Sequence, residues 1–128
     1  MERDSESDMR LPRRPIDRRM GPLIAAFGYA FQGLWHLLRT QRNAQIHCLV
    51  AACALALAAA LRVSRMEWLA LVLTIAIVLA AEGVNTAVEA AVDLACATPH
   101  PLAKVAKDVA AASVLICAIA SVIVGCIV

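Results

Sequence analysis

The sequence predicts an all-α integral membrane protein in which an N-terminal amphipathic surface helix precedes three transmembrane helices. Of the 128 residues, 62% are hydrophobic but only 4% are aromatic, so Ala, Leu, Val and Ile carry the apolar content. The mean hydropathy of +0.75 is typical of a membrane protein rather than of a soluble one. The apolar residues also fall into three uncharged runs separated by short polar links, which is the pattern of consecutive membrane spans.

The N-terminal segment differs in composition from the rest of the chain. Residues 1–22 are rich in Arg and lack an apolar run, which predicts a disordered basic tail rather than a cleavable signal peptide. Arginines near the first span predict a cytoplasmic N-terminus. A nucleic-acid-binding arm is the alternative, but the tail also contains acids and the spans would hold it away from nucleic acid, so we expect no such partner. Residues 23–128 are expected to form one membrane domain.

The segment 23–39 predicts an amphipathic helix, because its apolar residues recur at spacings of three and four. This apolar stripe consists of Ile24, Phe27, Phe31, Leu34 and Leu38. The segment is too polar to span a bilayer, so we expect it to lie on the membrane surface. A helix packed on a soluble partner would show the same pattern.

Three apolar runs predict the membrane spans. Residues 43–61 form the first, and residues 109–128 form the third, in agreement with the length that a bilayer requires. The second begins at Trp68, a typical interfacial anchor, but its uncharged part ends before Glu82, so its helix should continue to about Asp93. Lysines after this helix predict that the following loop is cytoplasmic and that the C-terminus lies outside.

Four polar side chains share one face of the second predicted span. At about 100° per residue, Asn85, Glu89 and Asp93 fall within about 60° of Glu82 on a helix. A carboxylate near a bilayer is costly, so aligned acids there indicate a functional site. Three helices of small residues cannot enclose a large cavity, so we expect an oligomer interface or a partner's groove to cover these acids.

Charged residues at the start of the third span suggest a ligand for this face. Lys104, Lys107 and Asp108 should lie at the same membrane depth as the acids. Carboxylates bind hard cations and ammonium groups bind phosphate oxygens, so the combination suits a magnesium-chelated polyphosphate. The alternative is structural, with the acids and lysines pairing to hold the helices together. The chain has no glycine-rich nucleotide-binding motif, and its five scattered cysteines favour neither disulfides nor a zinc site.

Two segments resemble the small bacterial integral-membrane diacylglycerol kinase and undecaprenol kinase family. The run EGVNTAVEAAVD, from Glu82 to Asp93, resembles the signature E-x-x-N-[ST]-A-[IV]-E-x-x-x-D, and residues 100–112 resemble the segment A-K-D-x-x-[SA]-A. Residues 28–34 are similar to the family's surface-helix motif, and residues 43–47 are similar to its undecaprenol kinase branch. The resemblance covers roughly residues 23–128.

The resemblance implies an ATP- and Mg²⁺-dependent lipid kinase in the bacterial inner membrane. Such an enzyme would work as a homotrimer, with active sites shared between subunits at the cytoplasmic surface. Diacylglycerol, converted to phosphatidic acid, is the first candidate acceptor, and undecaprenol is the alternative. A further alternative is a membrane scaffold without enzymatic activity.

The resemblance also implies roles for individual residues. Glu82 would be the general base, and Glu89 would bind Mg²⁺. The residues expected to bind ATP are Tyr29, Asn85, Glu89, Thr98, Pro99, His100, Lys107 and Asp108. The residues expected to contact the lipid are Ala26, Phe31, Asn43, His47 and Glu82.

One position departs from the family pattern. The family usually has a glutamate, acting as a second metal ligand, where this chain has Gln41. Gln41 can offer only a neutral carbonyl oxygen, so weaker Mg²⁺ binding is expected. Either this branch tolerates the change, with help from Asp93, or the activity is reduced.

Overall fold

The computed structural model describes residues 21–96 and 98–128. The described residues form four helices: α1 (Pro22–Thr40), α2 (Arg42–Leu61), α3 (Arg65–Ala95) and α4 (Pro101–Ile127). The predicted all-α class is confirmed. The basic tail predicted for residues 1–22 lies outside the described residues, except that α1 already begins at Pro22.

Helices α2, α3 and α4 are each long and apolar enough to cross a membrane. This confirms the three predicted spans, and the chain is a membrane protein. With 31 residues, α3 is the longest. At 1.5 Å per residue it is about 46 Å long, which exceeds the ~30 Å hydrocarbon core of a bilayer. Its acidic end can therefore extend from the apolar region toward water.

Local capping fixes the boundaries of α3 and α4. Ser64 accepts a hydrogen bond from the backbone N–H of Glu67, and the Glu67 side chain accepts one from the N–H of Ser64, which completes a capping box. Helix α3 therefore begins three residues before Trp68, where the sequence predicted the second span to begin. At α4, the His100 side chain accepts from the N–H of Leu102, and Pro101 occupies the first turn, where its missing N–H costs nothing.

The chain divides into two compact units between Gly33 and Leu34. The described part of the first unit is helical, and its apolar side chains Ile24, Phe27 and Phe31 are exposed. This agrees with a helix whose apolar stripe faces lipid or a partner. The prediction that residues 23–128 form one domain stays a prediction.

The second unit contains the spans. Its helix α3 packs extensively on α4 and less on α2. The buried apolar side chains of this unit are Leu37, Ala44, Ala58, Leu71, Val78 and Val114. Most large apolar side chains on the spans are exposed, so they are available to lipid or to other protein chains.

Candidate active site on the acidic face of α3

Glu82 is the most unusual side chain of the core. It lies within the apolar part of α3 and is only 2% exposed, and the neighbouring Asn85 is 6% exposed. These two are the buried polar residues of the described chain. Because burying a carboxylate in an apolar region is unfavourable, its retention here points to a functional role.

The chain's own helices cover Glu82. At the next residue, a Cβ added to Gly83 would lie 3.8 Å from Cδ2 of Leu37, so the last turn of α1 packs on α3 at this level. Ala44, near the start of α2, is completely buried. We expected that only an oligomer interface or a partner could hide the acids. For Glu82 this prediction is wrong, because packing within one chain already removes it from lipid.

A side-chain hydrogen bond confirms that two of these polar residues, Asn85 and Glu89, share one face. Nδ2 of Asn85 donates to Oε1 of Glu89 at 3.1 Å, across one helical turn. This bond fixes the amide group of Asn85 and one carboxylate oxygen of Glu89. Three neighbouring oxygens are buried and have no hydrogen-bond partner among the described residues: Oε2 of Glu82, Oδ1 of Asn85 and Oγ1 of Thr86.

The acids differ in their relation to the lysines. Asp93 pairs with Lys107 at 2.5 Å, which links the end of α3 to the start of α4. Among the described residues, neither Glu82 nor Glu89 has a lysine partner, because Lys104 pairs with Asp108 instead. The structural alternative, in which acids and lysines hold the helices together, therefore fits Asp93 but not the other two acids.

A cleft of about 400 Å³ lies where α3 ends and α4 begins. Its lining includes four of the residues expected to bind ATP: Thr98, Pro99, His100 and Lys107. Asn85, Glu89 and Asp108 do not line it. The cleft is also lined by residues to which the family resemblance assigned no contact with ATP: Val92, Asp93, Cys96, Ala103 and Lys104. The spacing of the lysines indicates that Lys104 belongs here, because residues three apart on a helix share a face and Lys107 lies three residues later.

The residues expected to contact lipid fall in different environments. His47 is half-buried and lines a mainly apolar cavity of about 160 Å³ between the spans, together with Val78 and Leu79. Val78 precedes Glu82 by one helical turn, so the lining of this cavity ends about one turn from the buried acid along α3. Asn43 is exposed.

Three further predicted residues belong to the first unit. They are Ala26, Tyr29 and Phe31, which are all exposed on α1.

The donor set on α3 suits a magnesium ion that is held partly by its substrate. Among the described residues, no three His, Cys, Asp or Glu side chains converge on one point. Mg²⁺ is often bound by one or two carboxylates, with phosphates and water supplying the other ligands. A single protein carboxylate, that of Glu89, is therefore enough to fit this pattern. Gln41 is the N-cap of α2, and its half-buried side chain makes no capping hydrogen bond.

Sequence comparisons with known proteins show the family of this chain. The family model for prokaryotic diacylglycerol kinase matches residues 28–128. The chain is 40% identical over 100 residues to the undecaprenol kinase of Bacillus subtilis, covering 78% of this chain and 81% of that protein. It is 41% identical over 104 residues to the diacylglycerol kinase of Synechocystis sp., covering 80% of this chain but only 59% of the relative. The chain therefore belongs to the prokaryotic diacylglycerol kinase family.

Proposed function

We propose that this protein transfers the γ-phosphoryl group of ATP to the hydroxyl group of a membrane lipid. The observation that carries the proposal is the buried Glu82, whose unpaired Oε2 is enclosed on a helix whose end lines the cleft with Lys104 and Lys107. A lipid alcohol reaches the site from the bilayer, and ATP reaches it from water. Membership of the family supports this class of reaction.

The nucleotide would extend along α3. Asp93, on the wall of the cleft, follows Glu82 by three turns, which is about 16 Å along a helix axis. Glu89 lies between them on the same face. The cleft would hold the nucleoside end of ATP, and the triphosphate would pass Glu89 toward Glu82.

Each charged residue would then have a distinct task. Oε2 of Glu82 accepts the proton of the lipid hydroxyl as its oxygen attacks the γ-phosphorus, and the bond to the bridging oxygen breaks to release ADP. Lys107 exchanges its contact with Asp93 for phosphate oxygens. Glu89 would hold Mg²⁺, which neutralises phosphate charge when bound. Asn85 keeps the Glu89 carboxylate in place through its hydrogen bond.

Diacylglycerol is the acceptor that we propose, with phosphatidic acid as the product. Undecaprenol is the second candidate, favoured by the Bacillus subtilis relative that bears this name and by His47, which matches the pattern of that branch and lines the apolar cavity beside Glu82. Both alcohols present a primary hydroxyl on an apolar chain. A scaffold role would not account for the unfavourable burial of the Glu82 carboxylate, whose Oε2 has no partner among the described residues.

We also propose that the protein works as a homotrimer in the bacterial inner membrane, with its N-terminus and active site facing the cytoplasm. The exposed apolar surface of the three spans supports association with other copies. Apart from Arg62 and Arg65, the arginines and lysines lie on one side of the spans in the sequence, which supports the orientation.

The test is a phosphorylation assay on the protein purified in detergent. It uses labelled ATP and Mg²⁺, and diacylglycerol and undecaprenol are supplied separately. Labelled lipid phosphate with at least one acceptor is the expected result. Absence of product with both would refute the proposed function, provided that the protein elutes as a defined species in size-exclusion chromatography.

A further inference from the structure

One hydroxyl group on the spans behaves differently from the others. In a membrane helix, Ser and Thr usually donate a hydrogen bond to a carbonyl one turn earlier on their own helix. On α3, the hydroxyl of Thr74 donates to the carbonyl oxygen of Ala70 at 2.6 Å. Ser113 and Ser121 do the same on α4. Thr86 does not, although the carbonyl of Glu82 stands at the corresponding position.

The Oγ1 atom of Thr86 is buried and has no partner in the described part of the chain. An unpaired buried hydroxyl is unfavourable, because it has lost its hydrogen bonds to water and gained none. The two other unpaired buried oxygens, on Glu82 and Asn85, lie on the same helix within one turn. The three unpaired groups therefore lie on one stretch of α3 rather than at scattered positions.

The chemistry of these groups limits the ligand. Oε2 of an ionised Glu82 and Oδ1 of Asn85 can only accept hydrogen bonds, whereas the Thr86 hydroxyl can also donate one. A ligand that satisfies all three groups therefore presents both a donor and an acceptor. An alcohol group meets this requirement, because its O–H donates while its oxygen accepts.

We propose that Thr86 is a direct contact for the acceptor alcohol: the lipid O–H donates to Oε2 of Glu82 while the lipid oxygen accepts from Oγ1 of Thr86. This inference rests on the proposed function and deepens it. The second contact fixes the orientation of the hydroxyl, so that its free lone pair can face the γ-phosphorus. Because the contact is with the hydroxyl itself, it serves diacylglycerol and undecaprenol alike.

The test compares Thr86→Val, which keeps the shape but removes the hydroxyl, with Thr86→Ser, which keeps the hydroxyl. Ser113→Ala is the matched control, since it removes a hydroxyl that bonds only its own helix. We expect Thr86→Val to lower kcat/KM for the lipid by about 3- to 10-fold, the usual effect of losing one neutral hydrogen bond. Thr86→Ser should restore most of the loss, and the KM for ATP should not change.

Thermal unfolding separates this role from a structural one. Thr86→Val removes a buried group without a partner, so its unfolding midpoint should equal or exceed that of the wild type. A lower midpoint, or failure to assemble, would show that the hydroxyl supports the fold and would overturn the inference. Unchanged lipid kinetics in Thr86→Val, or an equal loss in Thr86→Ser, would also overturn it.

Two further outcomes separate the inference from the proposed function. If the wild type phosphorylates lipid and Thr86→Val matches it, only the inference fails. If the wild type phosphorylates neither alcohol, both fail. A loss confined to diacylglycerol would mean that Thr86 meets an ester carbonyl, which undecaprenol lacks, and would overturn the contact with the hydroxyl.

Discussion

Replacing Glu82 with Gln separates catalysis from folding more clearly than any other single change. The amide has almost the same shape as the carboxylate but cannot accept the proton of an alcohol. Loss of a general base typically lowers the rate by about 10²- to 10⁴-fold, which corresponds to about 3–5 kcal/mol of activation free energy. We therefore expect kcat to fall by that factor while the protein remains assembled.

The structure gives the expected effect of this substitution on stability. Glu82 is 2% exposed and its Oε2 has no partner among the described residues, so the folded chain gains no ion pair from the carboxylate. Replacing a buried charge with a neutral amide should leave the free energy of unfolding within about 1 kcal/mol of the wild type, or raise it.

The assay measures lipid phosphorylation and thermal unfolding on the same purified sample, with Glu82→Asp as a control that retains a carboxylate. A Glu82→Gln variant that keeps more than about a tenth of wild-type kcat would refute the role of general base, because that loss is far below the range for such a group. A variant that loses assembly and activity together would favour the scaffold alternative.

Four other predictions concern the charged groups and the packing of α3. Glu89→Ala should raise the Mg²⁺ concentration needed for half-maximal activity, and Gln41→Glu should lower it, as measured by titration of the cation. Asp93→Asn should lower the KM for ATP a few-fold, because it releases Lys107 from its ion pair. The unfolding free energy should change by less than about 1 kcal/mol, because the Asp93 side chain is 67% exposed and therefore solvated. Gly83→Ala should raise the unfolding free energy by about 0.5–1 kcal/mol in a denaturation assay, since the added methyl group meets only ordinary contacts.

The membrane spans could be predicted from the sequence because hydrophobicity alone decides them. Residues 43–61 were expected to form a span, and α2 covers Arg42–Leu61. The start of α3 was placed too late, because the prediction followed the interfacial Trp68. The capping pattern of Ser64 and Glu67 was nevertheless present in the sequence, and it begins the helix at Arg65.

The helical face that carries the candidate site was predictable, but its packing was not. Helical periodicity placed Glu82, Asn85 and Glu89 on one face, and the hydrogen bond from Asn85 to Glu89 confirms it for these last two residues. Periodicity cannot show how deeply each residue is buried, since that depends on how α1, α2 and α4 meet α3. The pairing of Lys107 with Asp93 likewise depends on the turn between two helices.

The enclosure of Glu82 has a kinetic consequence. A side chain sealed to 2% exposure cannot meet a lipid head group unless the residues around it first separate. Leu37, which rests against α3 beside this acid, is one of the contacts that would have to yield. If the protein acts as proposed, each turnover includes a gating motion of the helices. A bulkier residue at the contact between Leu37 and α3 should then slow entry of the acceptor without altering the affinity for nucleotide.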